Sequence, residues 1–183
     1  MKKLLAALLV SAFALGASAG AETYAAGGYY TIDYPDSMVL DNTAYTDDST
    51  EDTQWLFLLS GDDYLIDAAL TSVPDYAGFT LSAATDAEKA DYIAEVINTF
   101  ADSSPSLMTI VNSQSGVPFY IFSFTDDQGG YYYAETIADG MSVNFCCYYF
   151  EASTPPDTEL MTNLINVLST YRPMAAESTE DAA

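Results

Sequence analysis

An α+β fold is predicted by the sequence, in the form of a three-layer α/β/α sandwich with a central antiparallel sheet. Three features predict it: two runs of short extended segments, tight turn signals between these segments, and one amphipathic helix at the end of each run. Strands joined by tight turns pair antiparallel. Each helix needs a sheet face for its apolar stripe, so we expect one helix on either side of the sheet.

The first run of strands begins with "YYTIDYPDSMVLD", residues 29 to 41. Tyr30, Ile32 and Tyr34 alternate with polar residues, which is typical of a half-buried strand. Pro35 cannot donate a backbone hydrogen bond, so we expect a turn or bulge there at a sheet edge, with "MVL" as a second short strand. The segments "QWLFLLS" and "YLIDAALTSV" follow as a hairpin.

The first helix is expected to begin at Thr85, because Thr85 and Glu88 have the spacing of a capping box. Its predicted apolar stripe consists of Ile93, Val96, Ile97 and Phe100. This spacing of i, i+3, i+4 and i+7 indicates one buried face.

The second run contains "LMTIVNS", "VPFYIFSF", "YYYAETIA" and "MSVNFCCYYFEA". Asp139-Gly140 is a strong hairpin signal between the last two strands. A second helix is predicted after Pro155-Pro156, with a stripe of Leu160, Leu164, Val167, Leu168 and Tyr171.

The N-terminus predicts export, so we expect a secreted, extracytoplasmic protein. Two lysines precede an apolar segment that is too short for a membrane anchor, and small residues offer cleavage after Ala19 or after Ala21. The expected organisation is a signal peptide at 1–21, a disordered lead at 22–28, a single domain at 29–172 and a disordered acidic tail at 173–183.

The charge of the chain excludes several classes of partner. Its formal net charge of −23 becomes −25 once the two lysines of the signal peptide are removed. A surface this acidic repels nucleic acid and anionic lipid, so we expect no nucleic-acid partner and no membrane insertion after cleavage. Cationic partners stay open.

The reactive side chains are few. The chain has no histidine, which excludes Ser-His-Asp and Cys-His catalysis. Adjacent Cys146 and Cys147 are too close for an unstrained disulfide and point to opposite faces of a strand, so we expect two free thiols that pack rather than react. Lys89 lies beside Glu88 on a predicted exposed helix face, which favours a solvated lysine over a Ser-Lys dyad. We predict no catalytic residue and no cofactor.

The acidic clusters lie in predicted loops, where carboxylates are ordinarily solvated. They consist of Asp47, Asp48, Glu51 and Asp52, and of Asp126 and Asp127. The first cluster lacks the central glycine and the terminal glutamate of an EF-hand loop, so we expect no dedicated metal site, while weak calcium binding stays open. Plentiful carboxylates also leave open a small hydrolase that uses acid pairs alone.

The chain resembles the PsbP-like superfamily, many of whose bacterial members are small exported proteins. The similar segments are "YYTIDYPDSMVL", "SGVPFYIFSF", "GGYYYAETIADGMSVNFCCYYF" and "LMTNLINVLSTYR", and together they span about residues 28–172. Met38 stands where the family commonly has tryptophan. The resemblance implies the three-layer sandwich, but function does not transfer with it, and it carries no functional residue to this chain.

Tyr131 and Tyr133 share a strand face with Glu135 after a glycine turn, which makes them a candidate binding surface; ordinary cross-strand packing is the alternative. The leading hypothesis is an exported non-enzymatic module that binds a protein or cell-envelope partner. The alternative is a carboxylate-dependent hydrolase, which a pocket with two or more converging buried acids would favour. A scaffold or solute-sequestering protein would differ only in its ligand.

Overall fold

Ten strands and two α-helices make up the part of the chain that the computed structural model describes, residues 20–126, 129–151 and 153–174. The strands are β1 (Ala21–Ala26), β2 (Tyr30–Pro35), β3 (Val39–Asp41), β4 (Thr53–Ser60), β5 (Tyr64–Ser72), β6 (Ser106–Asn112), β7 (Pro118–Asp126), β8 (Gly129–Ala138), β9 (Met141–Tyr149) and β10 (Arg172–Pro173). The helices are α1 (Asp86–Thr99) and α2 (Thr158–Ser169). Neither described helix has the length and apolarity needed to cross a membrane.

The strands form two antiparallel sheets. The large sheet has the order β3-β4-β5-β9-β8-β7-β6, and the small sheet has the order β1-β2-β10. Every neighbouring pair is antiparallel, which confirms the predicted central sheet. Asp139 and Gly140 adopt φ values of 49° and 78°, so the Asp-Gly turn joins β8 to β9 as its sequence predicts.

Apolar side chains cover both faces of the large sheet and form two separate cores. The first core lies between the large sheet and α2 and includes Tyr30, Ile32, Phe57, Phe119, Phe145, Leu160 and Leu164. The second lies between the large sheet and α1 and includes Leu81, Tyr92, Val96, Tyr120, Phe122 and Ile137. Because successive side chains of β7 enter different cores, the two helices cover opposite faces. The α/β/α sandwich is therefore confirmed, with the small sheet packed into the first core beside α2.

Both helices begin at side-chain caps. Thr85 accepts a hydrogen bond from the Glu88 backbone N–H at 3.3 Å, and the Glu88 carboxylate accepts one from the Thr85 backbone N–H at 2.7 Å, which completes the predicted capping box. Asp157 caps α2 by accepting from the backbone N–H groups of Glu159 and Leu160, each at 3.0 Å.

The predicted stripe of α2 is correct, and that of α1 is partly wrong. All five predicted α2-side residues are buried: Leu160, Leu164, Val167, Leu168 and Tyr171. On α1 the buried residues are Tyr92 and Val96, while Phe100 follows the helix and is 47% exposed. Tyr92 was not in the predicted stripe, since a pattern of apolar residues does not select a side chain with a hydroxyl. Its ring enters the core, and its hydroxyl donates to the Glu135 carboxylate of the sheet.

The lead at 22–28 is not disordered, since it forms most of β1 and the turn into β2. Only Ala26 of β1 is buried, so the strand depends on backbone pairing with β2, which apolar periodicity does not reveal. The tail also starts later than predicted. Pro173 pairs with Tyr30, and the Met174 backbone N–H donates to the Tyr29 carbonyl at 2.8 Å.

An ion pair fixes β10 to the small sheet. Arg172 donates two hydrogen bonds to the Asp33 carboxylate, at 2.6 and 3.1 Å, and its Nε donates to Thr31 Oγ1 at 3.3 Å. The hydrogen bonds from Arg172 hold the pKa of Asp33 below its usual value. Residues 1–19, which hold most of the predicted signal peptide, and residues 175–183 of the tail lie outside the described part of the chain.

Tyr30→Phe should stabilise the protein. The Tyr30 hydroxyl is buried in the first core and has no hydrogen-bond partner among the described residues. Because an unpaired buried hydroxyl costs free energy, its removal should raise the free energy of unfolding by about 1 kcal/mol, measured by urea denaturation. The matched control is Tyr34→Phe on the same strand, whose hydroxyl donates to Glu22 at 2.8 Å. The control should lose about 0.5–1 kcal/mol, and equal changes in both variants would contradict the prediction.

Candidate functional site

A row of polar side chains crosses the middle of the large sheet on the same face as α1. Its buried members are Asp67 on β5, Ser142 and Asn144 on β9, and Glu135 on β8. The register places Asp67 opposite Cys146, and Asn144 opposite Glu135. Asp67 and Glu135 do not belong to the acidic clusters that the sequence places in loops, and their burial was not predicted. A single acid inside an apolar strand segment, as in "YLIDAALTSV" and "YYYAETIA", was the signal that could have found them.

Glu135 is 7% exposed, and both of its carboxylate oxygens are occupied. One oxygen accepts from the Tyr92 hydroxyl of α1 at 2.5 Å, and the other accepts from the Ser142 hydroxyl at 2.5 Å. Burial, with the nearby Glu135 charge, raises the pKa of Tyr92, so this phenol stays a hydrogen-bond donor. The arrangement ties α1 to β8 and leaves no free carboxylate oxygen facing a substrate.

Asp67 is 6% exposed and lies next to the cysteine pair. Burial raises the pKa of Asp67 to about 6, although the Tyr148 side chain and the Cys146 backbone hydrogen-bond to it. Burial also raises the pKa of the Cys146 and Cys147 thiols. Both cysteines are free, with Cys147 in the first core and Cys146 on the face of Asp67, as expected for thiols that pack.

The two buried acids do not converge on one cavity. Strand β9 separates them, which places them roughly 10 Å apart across the sheet. A surface depression of about 340 Å³ lies elsewhere, and its lining includes Glu51, Asp52 and Met141 but neither buried acid. The geometry that would favour a carboxylate-dependent hydrolase is therefore not found around Asp67 and Glu135.

Tyr131 and Tyr133, the predicted binding surface, pack partly buried against the second core. The Tyr131 ring is stacked on Phe124 with 5.1 Å between centroids and 8° between planes, and Tyr133 meets the same ring edge-on at 6.0 Å. This is the geometry of cross-strand packing. A binding role for these tyrosines stays a prediction.

The acidic loops show no metal arrangement in the described residues. Among them, no group of three or more histidine, cysteine, aspartate or glutamate side chains is placed to hold a metal ion. The second acidic cluster includes Asp127, which lies outside the described residues. Weak calcium binding stays untested.

The open edge of β6 is a feature that sequence reasoning missed. In the described chain β6 pairs with β7 on one side and with no strand on the other. Met108 and Ile110 of β6 are 46% and 44% exposed. We call the outer backbone edge of β6 with the side chains of Met108 and Ile110 the β6 rim.

The β6 rim lies in a part of the chain without charge. No Asp, Glu, Lys or Arg occurs between Asp102 and Asp126, although the whole chain has 27 acidic residues. An uncharged edge strand with exposed apolar side chains is a template for another strand. The charge gap was visible in the sequence, but the position of β6 at the sheet edge was not.

Comparisons with known proteins show a likeness in shape only. No family model matches the chain, and no curated protein matches it. Among solved structures, the chain is similar to the solution structure of cyanobacterial PsbP (CyanoP) from Synechocystis sp. PCC 6803. The two share 16% identity and a TM-score of 0.47, over 90% of this chain and 98% of that chain. At these values the likeness shows neither a family nor a role for this chain.

Asp67→Asn should remove a pH-dependent destabilisation. The pKa of Asp67 rises from 3.8 to about 6 on folding, so the neutral acid is favoured in the folded state. The free energy of unfolding should therefore fall as pH rises from about 4 to about 6. Relative to wild type, the variant should gain up to about 3 kcal/mol at pH 7 and little at pH 4, measured by urea denaturation across pH.

The control for this measurement is Asp33→Asn, where the sign is opposite. The pKa of Asp33 is lowered by its hydrogen bonds from Arg172, so its stabilisation is present at neutral pH and is lost as pH falls below about 4. This variant should lose about 1 kcal/mol at pH 7 and less in acid. If the free energies of unfolding of wild type and Asp67→Asn differ by the same amount at every pH, Asp67 does not titrate in this way.

Proposed function

We propose that this chain is an exported, non-enzymatic interaction module that binds a protein or cell-envelope partner through the β6 rim. The observation that carries the proposal is the open, uncharged edge of β6 with the exposed side chains of Met108 and Ile110. Export is supported by the signal-peptide pattern of residues 1–21.

A sheet edge binds a partner through its backbone. Each extended segment that pairs with such an edge gains main-chain hydrogen bonds, and its side chains contact the apolar groups on either side. The other edge strand of the large sheet, β3, has three residues and ends in Asp41. A charged residue on an edge strand discourages pairing, so β3 is a poorer template than β6.

A non-enzymatic role is supported by the poor accessibility of the two buried acids to a substrate. Glu135 is held by hydroxyl groups of α1 and β9, and Asp67 is covered within the sheet face. A general acid or base must reach the reacting group of its substrate. The alternative of a carboxylate-dependent hydrolase lacks that access at both positions.

The test is affinity capture from the cell envelope of the producing organism, with three forms of the exported chain as bait. These are wild type, Ile110→Lys at the β6 rim, and Val39→Lys on β3. Val39 is 67% exposed, so the control adds the same charge at the opposite edge. Because a lysine on an edge strand discourages pairing, Ile110→Lys should lose a protein that wild type and Val39→Lys both retain, as measured by mass spectrometry.

Equal thermal unfolding of the three baits would establish that each is folded. Identical sets of captured proteins for wild type and Ile110→Lys would overturn the proposal, as would the absence of any protein enriched by wild type.

A further inference from the structure

We propose that the β6 rim is occupied by the β6 strand of a second copy of this chain, so that two seven-stranded sheets join edge to edge. This inference rests on the proposed function, because it names the occupant of the surface described there. Three features of the chain support a second copy: the distribution of charge, the sequence of β6, and the position of β6 in the sheet.

The distribution of charge places β6 in the longest uncharged stretch of the chain, where repulsion between two copies is least. Each mature chain has a formal net charge of −25, so two copies repel over most of their surfaces. The stretch between Asp102 and Asp126 has no charged residue and supplies both β6 and its neighbour β7. A cationic partner would instead bind where acidic residues are exposed, and the β6 rim has no acidic residue.

The sequence of β6 is compatible with antiparallel pairing to itself. With Ile110 opposite Ile110 of the other copy, Thr109 lies opposite Val111 and Met108 opposite Asn112. A two-fold axis normal to the sheet keeps each face continuous across the junction. Ile110 pairs with Tyr120, whose ring lies in the second core, so the two isoleucines meet on the α1 side. Paired β-branched residues stabilise neighbouring strands.

The position of β6 supplies the backbone groups for this pairing. In the described chain only one side of β6 is hydrogen-bonded to a strand, so its other side presents N–H and C=O groups. A register shift between Leu107 and Thr109 makes Met108 the extra residue of a bulge. Because Asn112 lies opposite this bulge residue in the register above, regular pairing with the second copy is limited to Thr109, Ile110 and Val111, and the dimer should be weak.

The dependence on salt distinguishes a second copy from a cationic partner. Two chains with a net charge of −25 repel, and salt screens this repulsion, so self-association should strengthen as ionic strength rises. Binding of a cationic partner would weaken over the same range. The dissociation constant of the dimer should lie on the order of 10–100 μM near physiological salt, because the pairing surface is small.

The experiment is sedimentation equilibrium of the exported chain from roughly 1 μM to roughly 1 mM, in about 0.05 M and about 1 M NaCl. Wild type and Val39→Lys should form dimers, with a higher dimer fraction in the higher salt. Ile110→Lys should weaken the dimer at least about tenfold, because two lysines then lie opposite each other at the two-fold axis. Both variants change the net charge equally, so a general charge effect would appear in both.

A wild-type chain that stays monomeric at the highest concentration in both salts would overturn the inference. It would also be overturned by dimers that Ile110→Lys does not weaken, or by dimers that dissociate as salt rises. Failure here is distinct from failure of the proposed function. If the chain is monomeric but Ile110→Lys still loses a captured envelope protein, the occupant is a different protein and the β6 rim remains the binding surface.

Discussion

Both faces of the large sheet carry large apolar side chains, and neither face is stable in water until another layer covers it. On one face α2 supplies four fully buried side chains, and the small sheet adds the rings and branched side chains of β2. On the other face α1 covers the half of the sheet that contains β6, β7 and β8. Because both faces must be buried, the sheet lies between the two helices. The helices cover the faces of the sheet, and the backbone edge of β6 is left without a neighbouring strand in the described chain.

The polar row on the α1 face of the large sheet contains two acids in different environments. Glu135 receives hydroxyl donors from α1 and β9, so its buried carboxyl group is hydrogen-bonded and it positions the helix. Asp67 lies beyond the reach of α1, and its burial raises its pKa to about 6. Neither acid faces an open cleft, and the adjacent thiols stay protonated because burial raises their pKa. The hydrogen bonds of Glu135 at this row join α1 to β8 and β9.

The charge of the chain and its open edge strand act in opposite directions. The formal net charge of −23 opposes association, whereas an uncharged edge strand favours it. Of the two basic residues outside the predicted signal peptide, Arg172 is bound by Asp33 and fixes β10 to β2. The residues between Asp102 and Asp126 form the longest uncharged stretch of the chain, and β6 presents it at an open sheet edge.

The sequence by itself determined the features that depend on neighbouring residues: the capping box at Thr85, the buried stripe of α2 and the turn at Asp139-Gly140. These depend on contacts within a few residues, so local pattern is sufficient. Only the tertiary structure decided that residues 21–26 form a strand, that Asp67 is buried, and that β6 lies at the edge. Each of these depends on which distant segments pair, and a one-dimensional pattern does not specify the order of strands in a sheet.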